Sequence, residues 1–147
     1  MASFEELLLR DGSFVYKTRG VSMEPMLRQD RDLVVIEKAD GVLKKYDVAL
    51  YKRGGDYVLH RVIKVKDGYY IIRGDNTYAN EKVKYSRVIG VLSGFDRKGK
   101  EYSASNGAYR AYSRFWVFIY PIRYLFAFAL HIARGAAKKL GIKRKRG

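Results

Sequence analysis

The spacing of apolar and polar positions divides the chain into three stretches. Ala2 to Arg10 reads as a short helix, with Ser3 as its cap and Glu6 three residues later as a capping-box partner. It is not a signal peptide: Leu7-Leu8-Leu9 is too short an apolar core, glutamates precede it, and no small-residue cleavage site follows. From Ser13 to about Leu92 the pattern becomes short strands separated by Gly and Asp turns. The predicted strands are Ser13 to Thr18, Asp32 to Ile36, Val48 to Lys52, Tyr57 to Val65, Tyr69 to Arg73 and Arg87 to Leu92. Asp67-Gly68 between two of them is a hairpin signal. Phe95 to Asn106 is polar and contains glycine, as a linker or surface hairpin would. The expected fold is mainly β, a small antiparallel sheet that folds over or closes into a barrel, over residues 1–107 with its core at 13–93.

The remaining residues, 108–147, differ in kind. Phe115 to Ala133 is almost continuously apolar or aromatic, interrupted by Pro121 and Arg123, and a Lys/Arg-rich end follows. Its length approaches that of a spanning helix. A charge at its middle costs about 2.5 to 3.5 kcal/mol on insertion scales, and Pro121 removes a backbone donor nearby. Two membrane placements remain open, a helix lying among the headgroups and a marginal span, beside a third option of an amphipathic helix covering the β-domain. Apolar side chains all round the helix favour the membrane over burial.

Charge sharpens this division. The 147 residues carry a net charge of +15, of which residues 1–109 hold 20 basic and 15 acidic side chains and residues 110–147 hold 10 basic and no acidic ones. The excess in the tail points to an anionic surface, with membrane lipid met by residues 110–147 and nucleic acid the disfavoured partner. The absence of cysteine excludes disulfides and cysteine-based metal sites, and His60 and His131 are too far apart to suggest a metal pair. Neither a cofactor nor a metal is expected.

The candidate chemistry starts at Arg19-Gly20-Val21-Ser22-Met23-Glu24-Pro25, a serine beside a glycine and a turn-forming proline. A serine hydroxyl is a weak nucleophile until a neighbouring base takes its proton, and an imidazole oriented by a carboxylate is the usual solution. His60 follows on a strand, where it shares a face with Val58 and Val62, and partial burial keeps an imidazole neutral and basic. Asp75 follows the next strand at a Gly74 turn and is placed to hold the imidazole tautomer. Taken singly, Ser22 is an ordinary turn residue, His60 a core histidine and Asp75 a turn aspartate. Their order and spacing favour a catalytic set.

Ser22-Met23-Glu24-Pro25-Met26-Leu27, Tyr46-Asp47-Val48-Ala49-Leu50-Tyr51, Leu59-His60-Arg61-Val62-Ile63, Arg73-Gly74-Asp75-Asn76 and Val88-Ile89-Gly90-Val91 resemble the successive boxes of the type I signal peptidase and LexA-like peptidase superfamily, over about residues 13–93. The resemblance implies Ser22 as nucleophile. It implies a histidine base at His60, as in the archaeal, endoplasmic-reticulum and sporulation-associated branch, where most bacterial enzymes use lysine. It also implies assisting acids at Asp75 and, six residues on, at Glu81, where the family has aspartate. Gly20 stands where a serine often helps form the oxyanion hole, so the turn around Gly20 and Met23 would have to supply backbone amides such as that of Ser22. The N-terminal anchor usual before the serine box is missing here, which moves the expected anchor to the C-terminal helix.

The function expected is therefore a membrane-associated prokaryotic serine endopeptidase acting on a signal or leader peptide of a preprotein substrate. Which side of the membrane the β-domain faces stays open. Self-cleavage of the LexA kind is disfavoured because no Ala-Gly pair exists in the chain, and Lys64, four residues past the family position, is a poor candidate base. The contrasting class is a non-catalytic module that keeps the peptidase fold and docks its basic tail on membrane or nucleic acid.

Overall fold

The computed structural model describes the backbone of residues 1–146 and the side chains of residues 1–141. Helix α1 (Phe4–Asp11) starts at the predicted capping box: the Ser3 hydroxyl accepts from the Glu6 amide and the Glu6 carboxylate accepts from the Ser3 amide. Gly12, at φ 76°, ends the helix in a left-handed cap whose amide donates to the Leu8 carbonyl. Leu8 is buried in the core, and Glu5 ties the helix to the sheet through Tyr57 at 2.6 Å and Lys52 at 2.5 Å. Those two partners hold the Glu5 carboxyl down at about 2.

Eight strands follow: β1 (Ser13–Lys17), β2 (Leu33–Lys38), β3 (Val48–Arg53), β4 (Asp56–Val65), β5 (Tyr69–Arg73), β6 (Glu81–Lys84), β7 (Val88–Arg97) and β8 (Lys100–Ser103). They form one antiparallel sheet in the order β1-β2-β7-β3-β4-β5-β6, with β8 pairing β7. The path is open at β1 and β6, so the sheet does not close into a barrel. Strands β6 and β8 were not among the predicted ones. The first is too short and charged to show a period of two, and the second is the return arm of the surface hairpin expected between Phe95 and Asn106.

The central strands are buried on both faces. Val48 and Leu50 of β3 and Leu59 of β4 face one cluster with Met23, Met26 and Leu27, while Ala49 and Tyr51 of β3 and Val62 of β4 face a second with Tyr70, Ile72 and Val83. Double-sided burial turns an alternating pattern into a continuous apolar run, which is how Val48 to Tyr51 reads. Gly90 of β7 is required by close packing, since a Cβ there would meet the Ile36 Cγ2 at 2.5 Å and the Glu37 carbonyl oxygen at 2.8 Å.

Two helices complete the chain, α2 (Gly107–Phe118) and α3 (Tyr120–Arg146), separated at Ile119 just ahead of Pro121. The chain divides into compact units at Met1–Arg114 and Phe115–Gly147. The first turns of α2 thus belong with the sheet, because Tyr109 and Ser113 are buried there. In the second unit Phe118, Ile122, Leu125 and Phe126 are exposed, and the Arg123 guanidinium lies 3.9 Å from the centre of the Trp116 ring. Among the described residues no single helix is long and apolar enough to cross a membrane; α2 and α3 taken together pass by length and composition.

Candidate active site

Ser22 lies half-buried in the turn between β1 and β2, fixed by its neighbours rather than by its own side chain. Met23, Met26 and Leu27 anchor the turn in the core. The turn after β5 grips it from the other side: the Asn76 amide donates to the Ser22 carbonyl at 2.8 Å and the Asn76 side chain to the Val21 carbonyl at 3.1 Å. Gly74 makes this approach possible. A Cβ at that position would stand 2.7 Å from the Ser22 carbonyl oxygen and 3.0 Å from His60 Nε2. The imidazole edge and the serine turn therefore meet across a residue that has no side chain to separate them.

His60 is 7% exposed, on the β4 face that also carries Val62. Cross-strand pairing sets Ala49 opposite His60, which makes Tyr51, two residues on, its diagonal neighbour on the same face. The Tyr51 hydroxyl donates to Glu81 Oε2 at 2.6 Å and lies 3.2 Å from His60 Nδ1. With its proton directed to Glu81, the Tyr51 oxygen accepts from Nδ1–H, and the lone pair of the imidazole is left on Nε2, on the Gly74 and Ser22 side. Burial, helped by the charge of Arg53, holds the imidazole down at about 4; Glu81 and Asp75 offset part of this. At neutral pH His60 is an uncharged base of fixed tautomer. Burial, and then the Glu81 carboxylate, raise the Tyr51 phenol well above its ordinary value, so it stays protonated.

Asp75 is placed differently from the expectation. Its carboxylate is held by Arg61, Nε to Oδ1 and Nη2 to Oδ2 both at 2.8 Å, and by the Tyr112 hydroxyl at 3.1 Å. It acts on His60 through its charge, and Tyr51 occupies the Nδ1 position that Asp75 was expected to fill. The physical reason is alternation along β4, which turns His60 and Arg61 to opposite faces and leaves Asp75 with the arginine. The second expected acid, Glu81, serves the imidazole through Tyr51.

Arg61 itself is fully buried and well supplied with partners. Besides Asp75 it donates to the Tyr46 carbonyl at 3.0 Å, the Ser113 hydroxyl at 2.8 Å and the Met26 sulfur at 3.3 Å. Burial works against its charge, but the attraction and hydrogen bonds of Asp75 outweigh that, so the guanidinium stays charged. One side chain thus connects the serine turn, the Asp75 turn and α2.

The remaining expected residues are also located. The Gly20 amide donates to the Gln29 side chain at 3.0 Å, and its φ of 76° is the left-handed conformation that favours glycine. Gly20 is therefore committed to the turn. Among the described residues the amides of Ser22 and Met23 donate to no other group, which leaves them available to a ligand. Lys64 is exposed beyond a bulge that interrupts β4 between Val62 and Lys64. The residues that sequence reasoning missed are Tyr51, Arg61 and Asn76. The Gly54-Gly55 turn was the available signal for Tyr51, because a two-residue hairpin fixes the register that sets it diagonal to His60.

A family model described as Peptidase S24-like matches residues 2–93, a stretch that contains Ser22, His60, Asp75 and Glu81. The chain belongs to the Peptidase S24-like family. This sets it in the LexA- and signal peptidase I-like superfamily, with a peptidase fold. No curated protein matches the chain. The matched S24-like stretch ends within β7, so α2 and α3 lie outside it.

Proposed function

We propose that this Peptidase S24-like chain is a serine endopeptidase of the signal peptidase I type, in the serine/histidine arrangement, and that it cleaves signal or leader peptides at a membrane surface. The observation that carries the reading is the Tyr51 hydroxyl, which donates to Glu81 and lies against His60 Nδ1, so that the lone pair falls on Nε2. A neutral imidazole with its lone pair on Nε2, across Gly74 from the Ser22 turn, suits proton transfer from a serine hydroxyl. In the proposed reaction Ser22 Oγ attacks the scissile carbonyl while His60 Nε2 takes its proton. The imidazolium formed keeps its Nδ1–H on Tyr51, whose link to Glu81 sets a carboxylate close to the new charge. The amides of Ser22 and Met23 receive the oxyanion. His60 then protonates the leaving amine, and water resolves the acyl-enzyme by the same route in reverse.

Membrane action is supported by the exposed apolar residues of α3 and by the basic end of the chain. The test is incubation in detergent or liposomes with extended peptides bearing small residues before the bond, alongside labelling by an acylating serine probe. Cleavage and labelling are expected in the wild type and lost in Ser22→Ala and His60→Ala. Cleavage that survives Ser22→Ala removes the reading. Salt-sensitive retention of DNA without any labelling would favour the non-catalytic module instead.

A further inference from the structure

A cavity of ≈ 330 Å³ opens between the start of β3, the end of β8 and α2, within the first compact unit. Its inner wall is apolar, made by Val48, Leu92 and Tyr109, all buried. Lys44, Lys45, Arg110 and Arg114 surround its mouth and are exposed. Among the described residues none of these four is ion-paired, and the lining acid, Asp47, accepts from the Lys44 amide. Four cations against this one carboxylate leave the mouth net cationic.

Tyr46 adds a second, independent observation. It takes φ 80°, a left-handed conformation that a tyrosine rarely adopts, and is held there by its amide on the Val62 carbonyl and by Arg61 on its own carbonyl. The strained turn presents the Tyr46 ring to two cations, Lys45 at 5.0 Å and Arg114 at 5.9 Å from its centre. Strained backbone conformations cluster at active sites and ligand clamps, and this one lies at the cavity mouth.

We propose that this cavity binds the phosphate of an acidic phospholipid headgroup. Arg110 and Arg114 are one helical turn apart on the same side of α2, a spacing at which two guanidiniums meet one phosphate. The apolar wall suits the glycerol and the first methylenes of a lipid and would be left unused by free phosphate. Chain continuity points the same way, since Arg114 leads directly into the apolar run Phe115 to Ala133. The site does not depend on the peptidase reading.

The experiment is an NMR titration of backbone amides in the full chain with dihexanoyl phosphatidylglycerol below its micelle concentration, and separately with inorganic phosphate. The lipid is expected to shift Lys44 to Asp47 and Tyr109 to Arg114 saturably, with phosphate weaker. Affinity should fall about tenfold or more in R110Q/R114Q and remain unchanged in the charge-matched K17Q/K38Q, two exposed lysines of β1 and β2 away from the cavity. Ala104→Trp, which fills the cavity while keeping every cation, should weaken the lipid as well. Absence of saturable shifts, an equal loss in K17Q/K38Q, or phosphate binding as tight as the lipid would each overturn the proposal.

Discussion

His60 and Arg61 are consecutive residues of β4, 7% and 0% exposed, and the protein treats their charges in opposite ways. On the imidazole face the charge is removed: burial keeps His60 neutral, and a single hydroxyl fixes its tautomer. On the guanidinium face the charge is kept and answered by a bidentate carboxylate with further acceptors from α2 and the β3 approach. On the proposed peptidase reading, the difference separates two duties. A base has to change protonation state during a reaction, so its surroundings must tolerate both forms. A positioning cation must never change, so its surroundings commit fully to one.

Breaking the arginine face carries the largest expected effect on stability. Asp75→Ala leaves a buried guanidinium uncompensated and should cost about 3 to 5 kcal/mol by equilibrium urea unfolding. Arg61→Met combined with Asp75→Leu should lose less than that single change, because both charges disappear together. A single-variant cost below about 1 kcal/mol would mean that the pair does not hold the two turns.

On the histidine face, the expected lever is pH. The folded imidazole titrates at about 4 and the unfolded one near 6.5, so between those values the unfolded chain binds the extra proton. Folding stability is fully present above pH 6.5 and falls as the pH drops towards 4, by on the order of 3 kcal/mol. Denaturant midpoints measured at intervals across this window should decline more steeply in the wild type than in His60→Gln. Equal slopes would show that His60 is not desolvated as described. The acid limb of peptide cleavage should likewise fall near pH 4 rather than near 6.5.

The smallest of these effects on stability is expected from Tyr51→Phe, which removes the partner of Nδ1 without touching the arginine face. Leaving that buried donor unsatisfied should cost about 1 to 3 kcal/mol. The turnover rate of the proposed peptidase should fall about 100-fold with little change in KM, since the tautomer is no longer fixed. Unchanged turnover would reduce Tyr51 to a packing residue.

Particular residues show where sequence reading reached and where it stopped. The capping box at Ser3 and Glu6 and most of the strands depend on neighbours within a few positions, so their physics is written in order along the chain. The order of Ser22, His60 and Asp75 pointed to two turns and a strand that the fold brings together around Gly74. Pairing the acid with the histidine went astray because Arg61 sits beside His60 in sequence yet on the opposite face, and a buried arginine claims the nearest carboxylate. Glu81 was visible as a position, but its path to the imidazole runs through Tyr51, 30 residues away, and rests on strand register.

The sequence by itself determined a mainly β domain with a serine turn, a strand histidine and an apolar, basic C-terminal stretch, because periodicity, capping and charge are local properties. Tertiary structure alone decided that Glu81 reaches His60 through Tyr51, that Asp75 serves Arg61, and that Gly74 lets the histidine edge meet the serine turn. It also decided that the lysines before β3 share one cavity with the arginines of α2. Each of these depends on which face a side chain takes and which strand lies opposite, and both are fixed by packing across the whole sheet.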